Sequence, residues 1–190
     1  MKSQFLPALR LTLAMLVLCC VLYPALVWAA AQLAPGRGEG EQLVRNGRLV
    51  GFANVGQKFT EGRYFNSRPS AVDYHADGSA GSNKGPSNPD YLKDVKARLD
   101  TFLTQNPGVQ AAAVPAELLT ASGSGLDPDL SPPAALVQVP RVARARGLAP
   151  AQVAALVRRQ TTGPWLGFMG PAHVNVLALN IALDSLAARR

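Results

Sequence analysis

Ser122 and Ser124, in the stretch Thr120-Ala121-Ser122-Gly123-Ser124-Gly125, are the residues that most invite a nucleophile reading. A serine hydroxyl attacks only when a base takes its proton, and the elbow G-x-S-x-G is one way to expose it. The elbow fails at both positions: Ser122 stands where Ser124 needs glycine, and Ser124 stands where Ser122 needs it. His75 and His173 are isolated, with no Cys or His at ligand spacing, so a transition-metal site is not expected. Asp127 and Asp129 lie two apart, but no ladder of further ligands and no closing glutamate follows. That excludes an EF-hand loop and leaves turn formation and capping around Pro128. The chain has no phosphate-cradling G-x-x-x-x-G-K-[ST] sequence and no potassium-filter loop of the TVGYG kind. No catalytic residue, cofactor ligand or metal ligand is expected. The alternative reading is a signal-anchored periplasmic enzyme using Ser122 or Ser124.

What stands out is a density of small polar residues, glycine and proline in two blocks, Ser82 to Pro89 and Thr120 to Pro128. Such side chains bond to nearby backbone and fix loops that have no regular structure. Each block leads into a helix start, which favours ordered loops presenting a shaped surface over flexible linkers. The candidates are Ser82, Asn83, Asn88 and Pro89 in the first block, and Thr120, Ser122, Gly123, Ser124, Gly125 and Asp127 in the second. Tyr64, Phe65, Arg68 and Pro69 join them from the turn-rich segment Gly62 to Ala71.

Elements must position these loops. Pro35 to Gly40 reads as a linker, and Leu43 to Phe59 as one or two short strands. Asn88-Pro89-Asp90 is a helix cap with proline in the first turn, and Leu92, Val95, Leu99 and Phe102 carry that helix to about Leu103. Val114 to Thr120 reads as a buried strand or a short helix. Ser131-Pro132 repeats the cap, and Ala134 to Arg146 is predicted helical, kinked or restarted at Pro140 and closed by Gly147. A further helix covers Pro150 to Arg159; Gly163 to Pro171 is a loop; Val174 to Leu186 begins with strand formers and ends as a helix. The fold class is α+β: several helices with a small sheet.

The other dominant feature is Leu11 to Leu33, an apolar run without one charge. Roughly 23 residues make a helix of about 35 Å, enough to cross a bilayer. Ala29-Ala30-Ala31 before Gln32 resembles a signal cleavage site, but the run exceeds the roughly 7–15 apolar residues of a signal peptide, so a retained single-pass anchor is expected. Within it, Pro24 removes a helical hydrogen bond and clashes with the Cys20 carbonyl, predicting a kink. Tyr23 brings a hydroxyl that wants a partner, and Ala25 and Ala29 form a small-xxx-small pair that permits close helix approach. Tyr23, Pro24, Ala25 and Ala29 are therefore the candidate docking residues of the span. Trp28 fits an interfacial belt. The chain then divides into a tail at 1–10, a span at 11–33, a linker at 34–42 and one domain at 43–190. The short tail favours a cytoplasmic N-terminus and an exported domain, although the flanking charges do not decide it.

Glycine and proline make up about one residue in six, which fits a folded, loop-rich domain. Both cysteines, Cys19 and Cys20, fall in the span, so the domain folds without disulfides. The net charge is +7, with basic residues late in the chain at Arg141, Arg144, Arg146, Arg158, Arg159, Arg189 and Arg190. No aromatics interleave them, which argues against nucleic acid. They read as solvated helix faces, with a lipid or partner surface as the other use.

Taken in order, several blocks resemble the KdpC family, the C subunit of the bacterial high-affinity potassium-transporting P-type ATPase, the KdpFABC complex. They are Tyr23-Pro24 in the span, GQKF from Gly56, YFNSRPSA from Tyr64, GSNKGPSNP from Gly81 and VPAELLTASGSGLDPDLSP from Val114. QVPRVARARGL from Gln138 and GPAHVNVLALNIALD from Gly170 complete them. The resemblance implies one inner-membrane helix and a periplasmic domain. It implies partners: a potassium-channel-like subunit, a P-type ATPase subunit and a small membrane peptide subunit. Potassium and ATP are handled by that complex, not bound by this chain. The implied role is non-catalytic support of assembly and stability, with potassium entry as a further role. The family has also been described as a catalytic chaperone that raises the ATP affinity of the pump subunit.

Overall fold

The computed structural model describes residues 2–45 and 47–187, so Arg189 and Arg190 lie outside the described residues. The chain divides into two compact units, Met1–Gln42 and Leu43–Arg190.

The first unit is one long helical rod: α1, Lys2–Val17, a π-helical turn, Leu18–Leu22, and α2, Tyr23–Ala31. The helix therefore starts well before the apolar run. Its stretch Gln4–Ala31 is long and apolar enough to cross a membrane, and none of it is buried. The perturbation predicted at Pro24 takes the form of the π turn. The Tyr23 N–H donates to the Leu18 carbonyl, five residues back, while Leu22 and Tyr23 keep right-handed helical dihedrals. The wider turn absorbs the extra room that the proline ring demands.

Strand β1, Gln42–Arg45, begins at the boundary and pairs with β2, Arg48–Phe52, of the second unit. An irregular stretch then runs to α3, Pro89–Gln105, which starts as the cap predicts: the Asn88 side chain accepts from the Asp90 and Tyr91 N–H groups at 2.9 and 3.2 Å. Val95, Leu99, Phe102 and Leu103 turn its apolar stripe onto the core. Of the two options for Val114 to Thr120, the short helix holds, as a 3-10 turn at Ala116–Leu118.

The predicted Ala134–Arg146 helix is two pieces, α4, Pro132–Leu136, and α5, Val139–Arg146. Pro140 sits in the first turn of the second piece, where its missing N–H costs nothing. Gly147 ends α5 at φ +62°, a left-handed C-cap that favours glycine. Helix α6, Pro150–Arg159, matches the predicted bounds. Strands β3, Asp129–Leu130, β4, Thr161–Thr162, and β5, His173–Asn175, form an antiparallel sheet in the order β3-β5-β4. Val174 faces Leu130 on one side and Thr161 on the other. Asn175 then caps α7, Val176–Ala187, by accepting from the Ala178 N–H at 3.0 Å. The core lies between these last helices and the sheet, around Val142, Val153, Val157, Val174, Leu179 and Leu183. The result is α+β, with sheets too small to dominate.

Candidate functional site

The YFNS segment, Tyr64 to Ser67, has no regular structure, yet Phe65 is fully buried and Ser67 nearly so. Buried peptide groups outside helix or sheet need other partners. Two amide side chains supply them. Asn180 of α7 accepts from the Phe65 N–H at 2.9 Å and donates back to the Phe65 carbonyl at 3.0 Å. Gln138, at the break between α4 and α5, does the same for Asn66, accepting at 2.8 Å and donating at 3.2 Å. Each amide imitates the paired donor and acceptor of a neighbouring strand.

Arg141 completes the cradle. It is 7 % exposed, and all five of its N–H groups are engaged. Its Nε donates to Asn106 Oδ1 at 3.1 Å; Nη1 donates to the Gly62 and Tyr64 carbonyls at 2.7 and 2.9 Å. Nη2 donates to Asn66 Oδ1 and Gln138 Oε1 at 2.6 and 2.7 Å. Burial pulls this guanidinium down to about 10, which still leaves it charged near neutrality. No carboxylate is involved; neutral oxygens solvate the cation.

Around the rim, Asp184 of α7 gathers Arg45, Arg146 and the Tyr64 hydroxyl. Arg146 Nη2 pairs with its carboxylate at 2.6 Å. The same guanidinium covers the Tyr64 ring at 4.7 Å. Burial acts to raise the Asp184 carboxyl, but Arg146 and then Arg45 outweigh it and hold the group below its usual value of 3.8. Arg141 and Arg146 thus depart from the expected solvated face: Arg141 serves the oxygens of the YFNS cradle, and Arg146 pairs with Asp184 and donates to the Arg63 carbonyl. Arg144, Arg158 and Arg159 are exposed as predicted.

The second feature is a junction of three loops. The Gly56 N–H donates to the Leu126 carbonyl at 2.7 Å, and the Ser122 N–H to the Pro69 carbonyl at 3.0 Å. Arg68 pairs with Asp127 at 2.9 Å, Asp127 accepts from the Asp129 N–H at 3.1 Å, and Ser79 Oγ donates to the Ser124 carbonyl at 2.9 Å. Ser70 Oγ accepts from the Val72 and Tyr74 N–H groups at 3.2 and 2.9 Å, and the Tyr74 hydroxyl donates to the Arg68 carbonyl. Desolvation foremost, with the Asp73 charge, pushes that phenol up to about 12. Beside it opens a pocket of about 380 Å³ lined by Lys58, Asn66, Ser70, Tyr74, Arg98 and Phe102 among others.

The predicted residues therefore fall into separate places. Arg68, Pro69, Ser122, Gly125 and Asp127 meet in the junction, and Gly123 and Ser124 lie on its exposed edge. Tyr64 and Phe65 belong to the cradle. Thr120 closes the 3-10 turn by bonding the Ala116 carbonyl. Ser82, Asn83, Asn88 and Pro89 are exposed along the approach to α3, where Lys84 pairs with Asp94 at 2.9 Å. Tyr23, Pro24, Ala25 and Ala29 are exposed on α2 of the first unit. The prediction missed Gln138, Arg141, Asn180 and Asp184 as a set.

The contacts in the junction join loop to loop. Ser124 Oγ accepts from the Leu126 N–H at 3.1 Å, and Ser122 is buried. Among the described residues, no hydrogen bond joins either hydroxyl to a histidine or a carboxylate. His173 turns its Nδ1 to the Pro171 carbonyl at 3.3 Å, and no group of three or more metal-binding side chains assembles among the described residues.

The amino-acid sequence is similar to known proteins over nearly its whole length. The family described as "KdpC: K+-transporting ATPase, c chain" matches residues 5–185. A potassium-transporting ATPase KdpC subunit of Flavobacterium psychrophilum is 51 % identical over 186 residues, covering 98 % of this chain and 100 % of that protein. The corresponding subunit of Bacteroides fragilis is 50 % identical over 190 residues, and that of Polaromonas naphthalenivorans 48 % over 190, the latter covering 98 % of this chain and 96 % of that protein. The chain belongs to the KdpC family.

Proposed function

We propose that this chain is a non-catalytic accessory subunit of an ATP-driven potassium uptake pump, anchored by Gln4–Ala31 in the bacterial inner membrane with its N-terminus cytoplasmic and its domain periplasmic. The observation that carries this reading is the full-length likeness to proteins named as potassium-transporting ATPase KdpC subunits. The geometry supports it in two ways. The apolar helix carries a π turn and Tyr23, features that favour packing on other helices over immersion in lipid alone. In the domain Arg68, Ser70, Asp127 and Arg141 hold loops, which suits a rigid piece that supports an assembly.

In this reading the span docks through Tyr23, Pro24, Ala25 and Ala29 on the channel-like and ATPase subunits, beside a small membrane peptide. The loop junction, Arg68 to Pro69 with Ser122 to Asp127, forms the ordered face that caps the channel-like subunit on the outer side. An exported domain does not touch cytoplasmic ATP, so any rise in nucleotide affinity travels through helix packing as a coupling between two states of the pump. The test is growth on limiting potassium in a strain lacking the chain. Full-length chain restores growth, and so does the Ser122→Ala, Ser124→Ala double variant. Loss of growth in that variant at unchanged protein level, together with labelling by a covalent hydrolase reagent, overturns the non-catalytic reading.

A further inference from the structure

The loop between β4 and β5 ends in an apolar tip that the reading above leaves without a task. From Gln160 to Ala172 there is no charged side chain. At the tip Trp165 is 67 % exposed, Leu166 67 %, Phe168 76 % and Met169 47 %. Four clustered apolar side chains held out in water are unusual in a domain that buries its other aromatics at least in part.

The backbone of the tip is closed on itself. Trp165 N–H donates to the Met169 carbonyl at 2.8 Å, and Met169 N–H to the Trp165 carbonyl at 2.9 Å. The Phe168 and Gly167 N–H groups bond to the Trp165 and Pro164 carbonyls, and Pro164 has no N–H to satisfy. Leu166 and Gly167 both have positive φ, +53° and +83°, so a leucine occupies a conformation that glycine or asparagine fills more cheaply. Pairing polar groups internally lowers the cost of entering a low-dielectric layer, and here four of the five N–H groups from Trp165 to Met169 are paired in that way. At the other end of β4, Arg158 and Arg159 are exposed at the close of α6.

We propose that the Trp165–Met169 tip seats in the headgroup and upper acyl region of the membrane that carries the chain, with Arg158 and Arg159 against anionic headgroups. The inference rests on the reading of Gln4–Ala31 as a membrane span. A protein interface resting on this tip alone would need roughly 800 Å² from each side, more than four residues supply, whereas a bilayer sets no such minimum. Tryptophan at the interface and arginine toward anionic headgroups suit that depth. The tether makes weak insertion sufficient: the 11 residues from Gln32 to Gln42 reach at most about 38 Å when extended, so the domain never leaves the vicinity of the surface.

The chain has two tryptophans, which gives a clean experiment. Full-length Trp28→Phe leaves Trp165 as the sole emitter, and Trp165→Phe leaves Trp28 in the span. Both are reconstituted in phosphatidylcholine–phosphatidylglycerol vesicles with and without lipids brominated at shallow acyl positions. The proposal expects blue-shifted Trp165 emission that shallow bromines quench and acrylamide reaches poorly. It also expects the quenching to weaken when phosphatidylglycerol is omitted or when Arg158→Gln and Arg159→Gln are introduced. Trp165 left unquenched and acrylamide-accessible, while Trp28 is quenched, overturns the proposal and leaves the span standing. Trp28 unquenched as well brings down the span reading itself. Protection of Trp165 only on co-reconstitution with the pump subunits assigns the tip to a protein surface and also overturns it.

Discussion

Asn180 holds Phe65 by both of its backbone groups, across 115 residues of sequence: 2.9 Å to the N–H and 3.0 Å to the carbonyl. The contact joins the last helix to a segment with no regular structure, and it is what allows Phe65 to be fully buried there. Asn180→Ala leaves a buried donor and a buried acceptor without partners. The expected loss is about 2–4 kcal/mol. Denaturant unfolding of the detergent-solubilised full chain measures it; a loss well under 1 kcal/mol contradicts the clamp.

Arg141 is a cation solvated by five neutral oxygens, so its replacement by lysine is not conservative. Lysine offers three donors and no planar fork, and the Gly62, Tyr64 and Asn66 oxygens lose their positions. Arg141→Lys is expected to cost about 3 kcal/mol or more, while the exposed Arg144→Lys stays within about 0.5 kcal/mol. Equal melting temperatures for the two variants contradict this.

The Asp184 carboxyl is held below 3.8 in the folded chain, with burial opposing and Arg146 and Arg45 prevailing. A carboxyl of depressed pKa stabilises the fold above its unfolded value, and that contribution is lost as pH falls through the folded value. Unfolding followed from pH 6 downward is therefore expected to show stability falling once pH drops below about 4. In Asp184→Asn that part of the fall is absent, and the variant starts less stable at pH 6 by about 2 kcal/mol. Parallel pH curves for the two proteins contradict the assignment.

Glycines in the junction separate by geometry. A Cβ at Gly56 meets the Asp127 carbonyl oxygen at 2.4 Å, and one at Gly125, with φ +70°, meets Val72 Cγ2 at 2.6 Å. A Cβ at Gly123 meets nothing within 4 Å. Gly56→Ala and Gly125→Ala are each expected to destabilise by about 1–3 kcal/mol and Gly123→Ala by less than about 0.5 kcal/mol. The three variants side by side in thermal unfolding test whether the junction is rigid.

Local signals were readable in the chain; distant pairings were not. The Asn88 cap, the Ser131-Pro132 start and the Gly147 stop each depend on residues within four positions, so their types announce them. Strands of two or three residues, such as β3 and β4, are too short to show an alternating pattern. Gln138 and Arg141 serve oxygens more than 70 residues away, and Arg141 carries a charge that composition alone assigns to the surface. The one available hint was a glutamine and an arginine spaced to share a helix face beside otherwise apolar positions Val139, Val142 and Ala143.

Membership of a potassium pump assembly is tested most directly by affinity purification. Full-length chain, tagged at its C-terminus and extracted in mild detergent from potassium-starved cells, is expected to bring down a P-type ATPase subunit and a large multi-span subunit in constant ratio, with less recovered from a Tyr23→Ala, Ala25→Leu, Ala29→Leu span variant. A chain that purifies alone under the same conditions, in cells that grow normally on limiting potassium without it, contradicts the account.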